Sequence, residues 1–246
     1  MAATPSYTLR GPVGIVIAHP DDESMFFSPA LTALERDGER AVVLCLSSGD
    51  ACGLGETRKR ELVKACRVLG VKEDDVIIIE HPDLKDGSTK PWPPEVVSSH
   101  VRDFVKKSGV KTLLTFDELG VSGHADHAAV NRGVSRFLQL KAAGVDDDGA
   151  ALDAFALAST GIVRKYSGVL DVPLSLATAY PQPLGASFWS FDPRRAWRAM
   201  VAHRSQFVWY RRLFVVFSRY AYVNTFRRMQ LPPPPRQMPP PPPQEE

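Results

Sequence analysis

One imidazole and two carboxylates lie within four residues of one another near the start of the chain. They are His19, Asp21 and Asp22, and they directly follow the small or branched apolar residues 15–18. A tight turn can aim His19 and Asp22 at one cation and leave Asp21 beside it, facing a bound water. Nitrogen and carboxylate ligands together suit Zn2+, although other divalent metals accept them too. The alternative is an ordinary turn in which Asp21 or Asp22 caps the next helix.

A second pair of imidazoles could complete such a site. His124 and His127 are three residues apart at the start of a predicted helix, residues 128–140, so they share one helix face. Together with His19 and Asp22, His127 would form a three-ligand zinc shell with one open coordination position, as a catalytic zinc requires. His124, one turn earlier, would lie beside that open position.

The surrounding pattern predicts the fold that would bring these groups together. Patterns typical of buried strands alternate with amphipathic helices at about thirty-residue spacing. Strands are predicted at residues 15–18, 41–46, 75–80 and 111–116, and helices at residues 25–36, 56–69, 96–107 and 128–140. Residues 154–168 contain either a further helix or a pair of strands. The alternation predicts a single α/β domain with a doubly wound, Rossmann-like, mostly parallel sheet, whose ligands lie beyond the carboxyl ends of the strands.

Composition excludes several classes of protein. The chain has 246 residues, of which 44% are hydrophobic and 24% charged, enough for one sizeable domain with a filled core. Its three cysteines lack CxxC spacing, so neither a disulfide framework nor a structural zinc knot is indicated, and a reducing compartment is expected. No uncharged apolar run reaches the length of about 18 residues that a membrane span needs.

Positive charge is concentrated near the C-terminus. Residues 1–193 hold 20 Lys and Arg against 26 Asp and Glu, whereas residues 194–228, the basic-aromatic segment, hold nine arginines and no acid. We expect this segment to seek anionic surfaces such as phospholipid rather than nucleic acid, because no nucleic-acid motif accompanies the arginines. Residues 203–226 are either a core element with arginines reaching outward or a segment that lies on the membrane.

Several motifs make the chain resemble the LmbE-like zinc deacetylases. The motifs are AHPDDE at 18–23, GETRKREL at 55–62, TFD with GVSGH at 115–117 and 120–124, RKY at 164–166, and HRSQ with FSRY at 203–206 and 217–220. The first and third are shared with bacterial relatives that act on other N-acetylglucosaminyl compounds. The last two are typical of the eukaryotic PIG-L branch, which removes the acetyl group from N-acetylglucosaminyl-phosphatidylinositol.

The resemblance implies which residues carry the reaction. It implies His19, Asp22 and His127 as zinc ligands and Asp21 as the general base. In that role Asp21 would take the proton of a water whose pKa zinc lowers towards about 7. His124 would stabilise the oxyanion and protonate the leaving amine.

Other positions have less direct roles in this family. Arg58 and Asp83 match positions that hold the sugar or its neighbour, although Arg58 could instead pair with Glu61 along its own helix. Asp117 or Asp126 could orient the imidazole of His124, although Asp126 could equally cap the helix.

The likeness covers residues 13 to about 228 and sets the expected organisation. A flexible N-terminus (1–12) would precede the deacetylase domain (13–228), and a disordered tail (229–246) with nine prolines after Leu231 would follow it. Eukaryotic members usually begin with a spanning helix, which this chain lacks. Either an anchor is missing from this form or the attachment is made elsewhere. In this form we expect a peripheral enzyme on the cytoplasmic face of the endoplasmic reticulum membrane, acting on a glycolipid in the second step of GPI-anchor biosynthesis. The alternatives are a soluble deacetylase of a small N-acetylglucosaminyl conjugate and a non-catalytic membrane-surface module.

Overall fold

Strands connected by one or two helices form the computed structural model, which describes residues 9–145, 149–179, 185–190 and 192–229. The expected flexible start and proline-rich tail thus lie mostly outside the described residues. The strands are β1 (Val13–Ile17), β2 (Ala41–Cys45), β3 (Val76–Ile78), β4 (Thr112–Phe116), β5 (Asp153–Leu157), β6 (Gly185–Trp189) and β7 (Val223–Arg228). The α-helices are α1 (Asp22–Phe26), α2 (Ser28–Arg36), α3 (Gly55–Val68), α4 (Pro94–Ser108), α5 (Gly120–Gly123), α6 (Ala125–Ala142), α7 (Ile162–Lys165), α8 (Asp171–Ala179), α9 (Arg194–Ala202) and α10 (Trp209–Phe217).

All seven strands join one sheet in the order β3-β2-β1-β4-β5-β7-β6. The first five pair in parallel, and β7 runs antiparallel to both β5 and β6. The predicted doubly wound, mostly parallel sheet is therefore confirmed. The chain leaves β1 towards β2 and β3, then returns on the other side of β1 as β4. The switch point, where ligands bind in such sheets, lies at the carboxyl ends of β1 and β4.

The prediction of one continuous helix over residues 25–36 is wrong. The structure has two helices, α1 and α2, separated at Phe27 (φ −120°, ψ 3°). Pro29 explains the break, because it has no N–H to donate to the carbonyl four residues earlier and its ring would clash with that carbonyl. In the first turn of α2, by contrast, the missing N–H is not needed. The buried side chain of Asn224 in β7 satisfies two of the groups at this break. It accepts from the Ala30 N–H (3.1 Å) and donates to the Phe26 carbonyl (2.7 Å).

The two stretches that the sequence left open are now assigned. Residues 154–168 contain most of β5 and then the short helix α7. The basic-aromatic segment divides into two parts. Its later part, from Arg219 through β7, is largely core, and Arg219 itself is fully buried, so this arginine does not reach outward. Helix α10 instead leaves Trp209, Leu213 and Phe217 exposed.

A buried ion pair explains why Arg219 lies in the core. Its Nε donates to Asp171 Oδ2 (2.6 Å), and Arg164 Nε donates to the other oxygen of that carboxylate (2.7 Å). Ser175 completes the network by donating to Asp171 Oδ2 (2.6 Å). Burial alone would raise the pKa of Asp171, but these three hydrogen bonds outweigh it and hold the pKa below its ordinary value. The RKY and FSRY motifs therefore meet at one carboxylate.

Asp171→Asn is expected to lower the free energy of unfolding by about 3–5 kcal/mol at pH 7, because it leaves the Arg219 guanidinium buried without a counter-charge. Because the folded pKa is depressed, the contribution of Asp171 is complete above about pH 4, the pKa of an unfolded aspartate, and is lost as the pH falls further. Denaturant unfolding of both proteins at pH 7 and across the acid range measures this. The gap in stability should narrow below about pH 4.

Asp192→Asn is the matched control, because Asp192 pairs with Arg194 at the surface and its loss should change stability little. An Asp171→Asn protein as stable as wild type at pH 7 would contradict the assigned role of this carboxylate.

Candidate active site

The residues singled out from the sequence converge at the switch point. His19 and Asp22 follow β1, and His127 lies in the first turn of α6, after β4. Asp22 Oδ1 lies 3.1 Å from His127 Nε2, and Asp22 Oδ2 lies 3.9 Å from His19 Nδ1. All three side chains are buried. We call His19, Asp22 and His127 the three-ligand cluster.

The two oxygens of Asp22 have different partners. Oδ2 accepts from the backbone N–H groups of Ala18 (3.0 Å) and His19 (2.9 Å), which fixes the turn after β1. Oδ1 is left to face His127. Burial would raise the pKa of Asp22, but the neighbouring His127 and His19, together with the backbone donors, lower it well below its ordinary value. Asp22 is therefore an anion, as a metal ligand must be.

His127 is held in a fixed orientation. Its Nδ1 lies 3.1 Å from the Gly120 carbonyl, which can only accept, so Nδ1–H is the donor. The ring stacks on Phe116 at the end of β4, with centroids 4.0 Å apart. Gly120 has φ +59°, and a Cβ there would lie 3.0 Å from His127 Cβ, so the GVSGH motif needs glycine at this position.

This orientation bears on metal binding. With Nδ1–H donating to Gly120, Nε2 is the nitrogen of His127 that faces Asp22 Oδ1. These two atoms, 3.1 Å apart, need a positive charge between them, which either a proton on Nε2 or a metal ion supplies. A shared metal ion satisfies both, and imidazole with carboxylate is a donor set that suits Zn2+. The residues present therefore fit a divalent metal.

His124 lies beside this cluster. Its ring stacks on His127 with centroids 4.6 Å apart, and ligand atoms of His19, His124 and His127 lie within 4.8 Å of one another. His124 is also the N-cap of α6, because its Nδ1 accepts from the Asp126 N–H (3.3 Å). Its remaining proton is therefore on Nε2. Partial burial and the neighbouring imidazoles lower the pKa of His124, so the ring is a neutral donor at pH 7.

Two further carboxylates contact His19. Asp126 Oδ2 lies 3.0 Å from His19 Nε2, and Asp86 Oδ1 lies 3.5 Å from the same nitrogen. Burial would lower the pKa of His19, but Asp126 and the other nearby carboxylates raise it. The sequence placed Asp126 beside His124 and did not identify Asp86. Asp117, the other candidate to orient His124, instead accepts from the Ser159 backbone N–H and hydroxyl (both 2.6 Å).

Asp21 occupies a strained position next to the three-ligand cluster. Its φ is +126°, which a non-glycine residue rarely adopts. Its buried carboxylate lies 2.7 Å from Arg211 Nη1 and 3.5 Å from Arg58 Nη2. Burial raises the pKa of Asp21 in spite of these two arginines. A raised pKa brings a carboxylate closer to the range in which it can accept and return a proton at neutral pH.

A buried pair supports this strained turn from a distant part of the chain. Glu23 Oε2 accepts from the Asp21 backbone N–H (3.1 Å), and Glu23 Oε1 lies 2.7 Å from His203 Nε2. Both side chains are fully buried. The first residue of the HRSQ motif therefore supports the turn that carries Asp21, a function that sequence reasoning did not identify.

The two residues expected to hold substrate lie in different environments. Arg58 is buried and donates to the carbonyls of Gly49 (2.8 Å) and Pro20 (2.7 Å). Its alternative partner Glu61 instead accepts from the Ser205 hydroxyl (2.6 Å). Asp83 is exposed, with its carboxylate 3.9 Å from His81 Nδ1. Within the same loop, Asp86 is the acid that contacts Arg58, at 3.3 Å.

Two cavities lie close to the three-ligand cluster, and Asp86, which lies 3.5 Å from His19 Nε2, lines both. One, of about 460 Å³, lies against the loops that follow β2 and β3. The other, of about 350 Å³, we call the arginine-lined cavity. Its polar lining includes Arg58, Asp86, Ser205, Gln206, Tyr210 and Arg211. Both volumes fall within the range of small-ligand sites, about 300–1,000 Å³.

Solved structures show the class to which this fold belongs. N,N'-diacetylchitobiose deacetylase from Pyrococcus horikoshii superposes with a TM-score of 0.58, covering 88% of this chain and 83% of that one. The two sequences are 18% identical, so the likeness establishes a common fold. The fold is that of the LmbE-like deacetylases.

Sequence comparison identifies the family within that class. Residues 15–138 match the model of the GlcNAc-PI de-N-acetylase (PIG-L) family. N-acetylglucosaminyl-phosphatidylinositol de-N-acetylase from Bos taurus is 39% identical over 211 residues, which cover 86% of this chain and 81% of the bovine protein. A probable enzyme of the same name from Dictyostelium discoideum is 31% identical over 242 residues, covering 89% and 94%. The chain therefore belongs to the PIG-L family.

Proposed function

We propose that this protein is a zinc-dependent hydrolase that removes the N-acetyl group from N-acetylglucosaminyl-phosphatidylinositol, releasing acetate and glucosaminyl-phosphatidylinositol. The observation that carries the proposal is the convergence of His19, Asp22 and His127 at the switch point, with Asp21 and His124 beside them. His19, Asp22 and His127 would hold the metal. When bound, Zn2+ would polarise the amide carbonyl and lower the pKa of a water molecule.

The chain's own groups account for the proton transfers. Asp21 would accept a proton from the attacking water, and its buried carboxylate with a raised pKa suits that exchange. His124 would donate a hydrogen bond from Nε2–H to the oxygen of the former carbonyl. The proton that Asp21 took from the water would then pass by way of His124 to the leaving amine, so that both side chains return to their starting states. The N-cap contact of His124 Nδ1 keeps the proton of the neutral ring on Nε2.

Substrate contacts would come from the two cavities. Arg58 borders the arginine-lined cavity and is fixed by two carbonyls, so it would present a rigid cation to the sugar or its neighbour. Asp83 would reach the substrate only from the rim, because it is exposed and lies between Pro82 and Leu84 of the other cavity.

The direct test is acetate release from N-acetylglucosaminyl-phosphatidylinositol by metal-loaded protein, with bound metal measured in the same sample. Stoichiometric acetate is expected. Release from a small soluble conjugate but not from the lipid would favour the soluble deacetylase. A metal-loaded protein that released acetate from neither would favour the non-catalytic module.

We also propose that the enzyme acts as a peripheral protein on the cytoplasmic face of the endoplasmic reticulum membrane, because the acyl chains of its lipid substrate would hold that substrate in a bilayer. In the part of the chain that the structure describes, no helix is long and apolar enough to span a bilayer. Helix α10 exposes 71% of Trp209 and 53% of Phe217. The nearby Arg204 and Arg212 are also exposed, so aromatic groups could enter the headgroup region while arginines bind lipid phosphates.

Reversing two of these charges is expected to weaken membrane binding. Arg204→Glu/Arg212→Glu should bind phosphatidylserine vesicles at least about tenfold more weakly than wild type, because each basic residue contributes about 1 kcal/mol at an anionic surface. Co-sedimentation at low and high salt measures this, and salt should weaken wild-type binding steeply. Lys106→Glu/Lys107→Glu is the matched control, because it makes the same charge change at the end of α4, on the opposite edge of the sheet. Equal, salt-insensitive binding of all three proteins would refute this attachment.

A further inference from the structure

An apolar groove lies between α10 and the end of α7. Its volume is about 420 Å³, and apolar or aromatic side chains form most of its wall. Among the residues that the structure describes, the one charged lining residue is Arg211, and the others are Met25, Tyr166, Tyr210, Leu213, Phe214 and Phe217. Leu213 and Tyr166 are each 49% exposed and Phe217 is 53% exposed, so the groove is open to the surface.

The groove adjoins the candidate active site in two ways. First, packed aromatic rings connect its wall to the three-ligand cluster. Phe214 contacts Phe26 with ring centroids 5.5 Å apart, and Phe26 contacts His127 at 5.6 Å. Second, Arg211 lines both the groove and the arginine-lined cavity, and its guanidinium reaches Asp21. A ligand that fills both spaces therefore passes a cation at the boundary between polar and apolar walls.

This change from polar to apolar walls favours one kind of ligand. A free sugar or inositol phosphate gains nothing from apolar walls, because its polar surface stays better solvated in water. An amphiphile with an anionic group between a polar head and a hydrocarbon tail matches the order of cavity, arginine and groove. The substrate named for the bovine and Dictyostelium relatives has that order, with a phosphate between its sugar-inositol head and its acyl chains.

We propose that the groove binds the part of an acyl chain nearest the glycerol of the lipid substrate, with the phosphate beside Arg211. The proposal rests on the proposed function and goes beyond it. It makes the hydrocarbon a recognised part of the substrate rather than only its means of attachment to the bilayer. The enzyme should therefore prefer an acylated substrate even where no membrane is present.

A water-soluble lipid separates recognition in the groove from membrane binding. The probes are N-acetylglucosaminyl-phosphatidylinositol with two six-carbon chains, used below its micelle concentration, and the same molecule without its acyl chains. For the wild type, kcat/KM on the acylated probe should be at least about tenfold higher, because burying a few methylene groups is enough for that ratio. Equal values for the two probes would overturn the proposal. Failure to release acetate from either probe would instead contradict the proposed function.

Groove variants test where the preference arises. Leu213→Asp and Phe217→Asp each place a charge in the wall, and both residues are exposed enough to leave the fold intact. Each should lower the ratio of the two kcat/KM values to near one. Val216→Asp is the matched control, because Val216 lies on the same helix, is 40% exposed and does not line the groove. It should keep the wild-type ratio. Wild-type ratios in both groove variants, or an equal loss in Val216→Asp, would show that the chains are not recognised there.

Discussion

Replacing Asp21 by asparagine is expected to lower kcat for acetate release by about 10²–10⁴-fold, the usual contribution of a general base. The substitution keeps the size of the side chain but removes its ability to accept a proton. It also leaves the demand on the backbone unchanged, because asparagine has nearly the same shape as the aspartate that already adopts φ +126°. The loss should therefore be chemical rather than structural.

Metal content, melting temperature and a control substitution distinguish a chemical loss of activity from a structural one. Metal content and melting temperature should stay near wild type in Asp21→Asn, because Asp21 is not one of the proposed ligands. Asp103→Asn, a change of the same kind on the exposed side of α4, should retain full activity. Near-wild-type acetate release from Asp21→Asn would remove this residue from the mechanism and leave the strained turn unexplained.

His127→Ala is expected to abolish metal binding and, with it, activity. Loss of residues that merely orient a ligand costs about 10–100-fold in metal affinity, so removal of one of three ligands should exceed that range. Metal per protein, measured by elemental analysis after dialysis against a metal buffer, checks the expectation. His19→Ala and Asp22→Ala should behave in the same way.

His100→Ala controls for loss of an imidazole outside the cluster, since the ring of His100 contacts His81 rather than any proposed ligand. It should retain a full equivalent of metal. Removing His127 also removes the stack on Phe116, so melting temperatures must be compared at equal metal occupancy. A full equivalent of metal in His127→Ala would overturn the assignment of the ligands.

The pattern of apolar and polar residues along the chain was sufficient to predict the sheet and to bring together the central residues of the candidate site. His19, Asp22 and His127 could be brought together from sequence because each follows a recognisable buried strand, and parallel strands end at one edge of a sheet. The same pattern did not predict where individual helices begin and end. Pro29 divides the predicted helix 25–36, and the pattern of apolar residues continues across the break because both halves face the same core.

Contacts between residues that lie far apart in the sequence could not be predicted from a local pattern. Glu23 pairs with His203 across 180 positions, and Arg219 pairs with Asp171 across 48. From sequence, a buried arginine and an outward-reaching one look alike, because the partner that decides between them lies on another element. Asp86 escaped notice for a related reason, since nothing in its loop distinguishes it from the exposed Asp83.

The contacts that His203 and Asn224 make with α1 and its surroundings set an order of events during synthesis. Every proposed ligand has been synthesised once His127 is made, but Asn224 follows 97 positions later. At about 5–20 residues per second, that interval lasts roughly 5–20 s. Throughout it, the break before α2 lacks the amide that satisfies it, and for the first 76 positions Glu23 also lacks its imidazole. The nascent enzyme therefore has all of its catalytic residues before it has the support that holds them, and hydrolysis is expected to begin only when the C-terminal strand has joined the sheet.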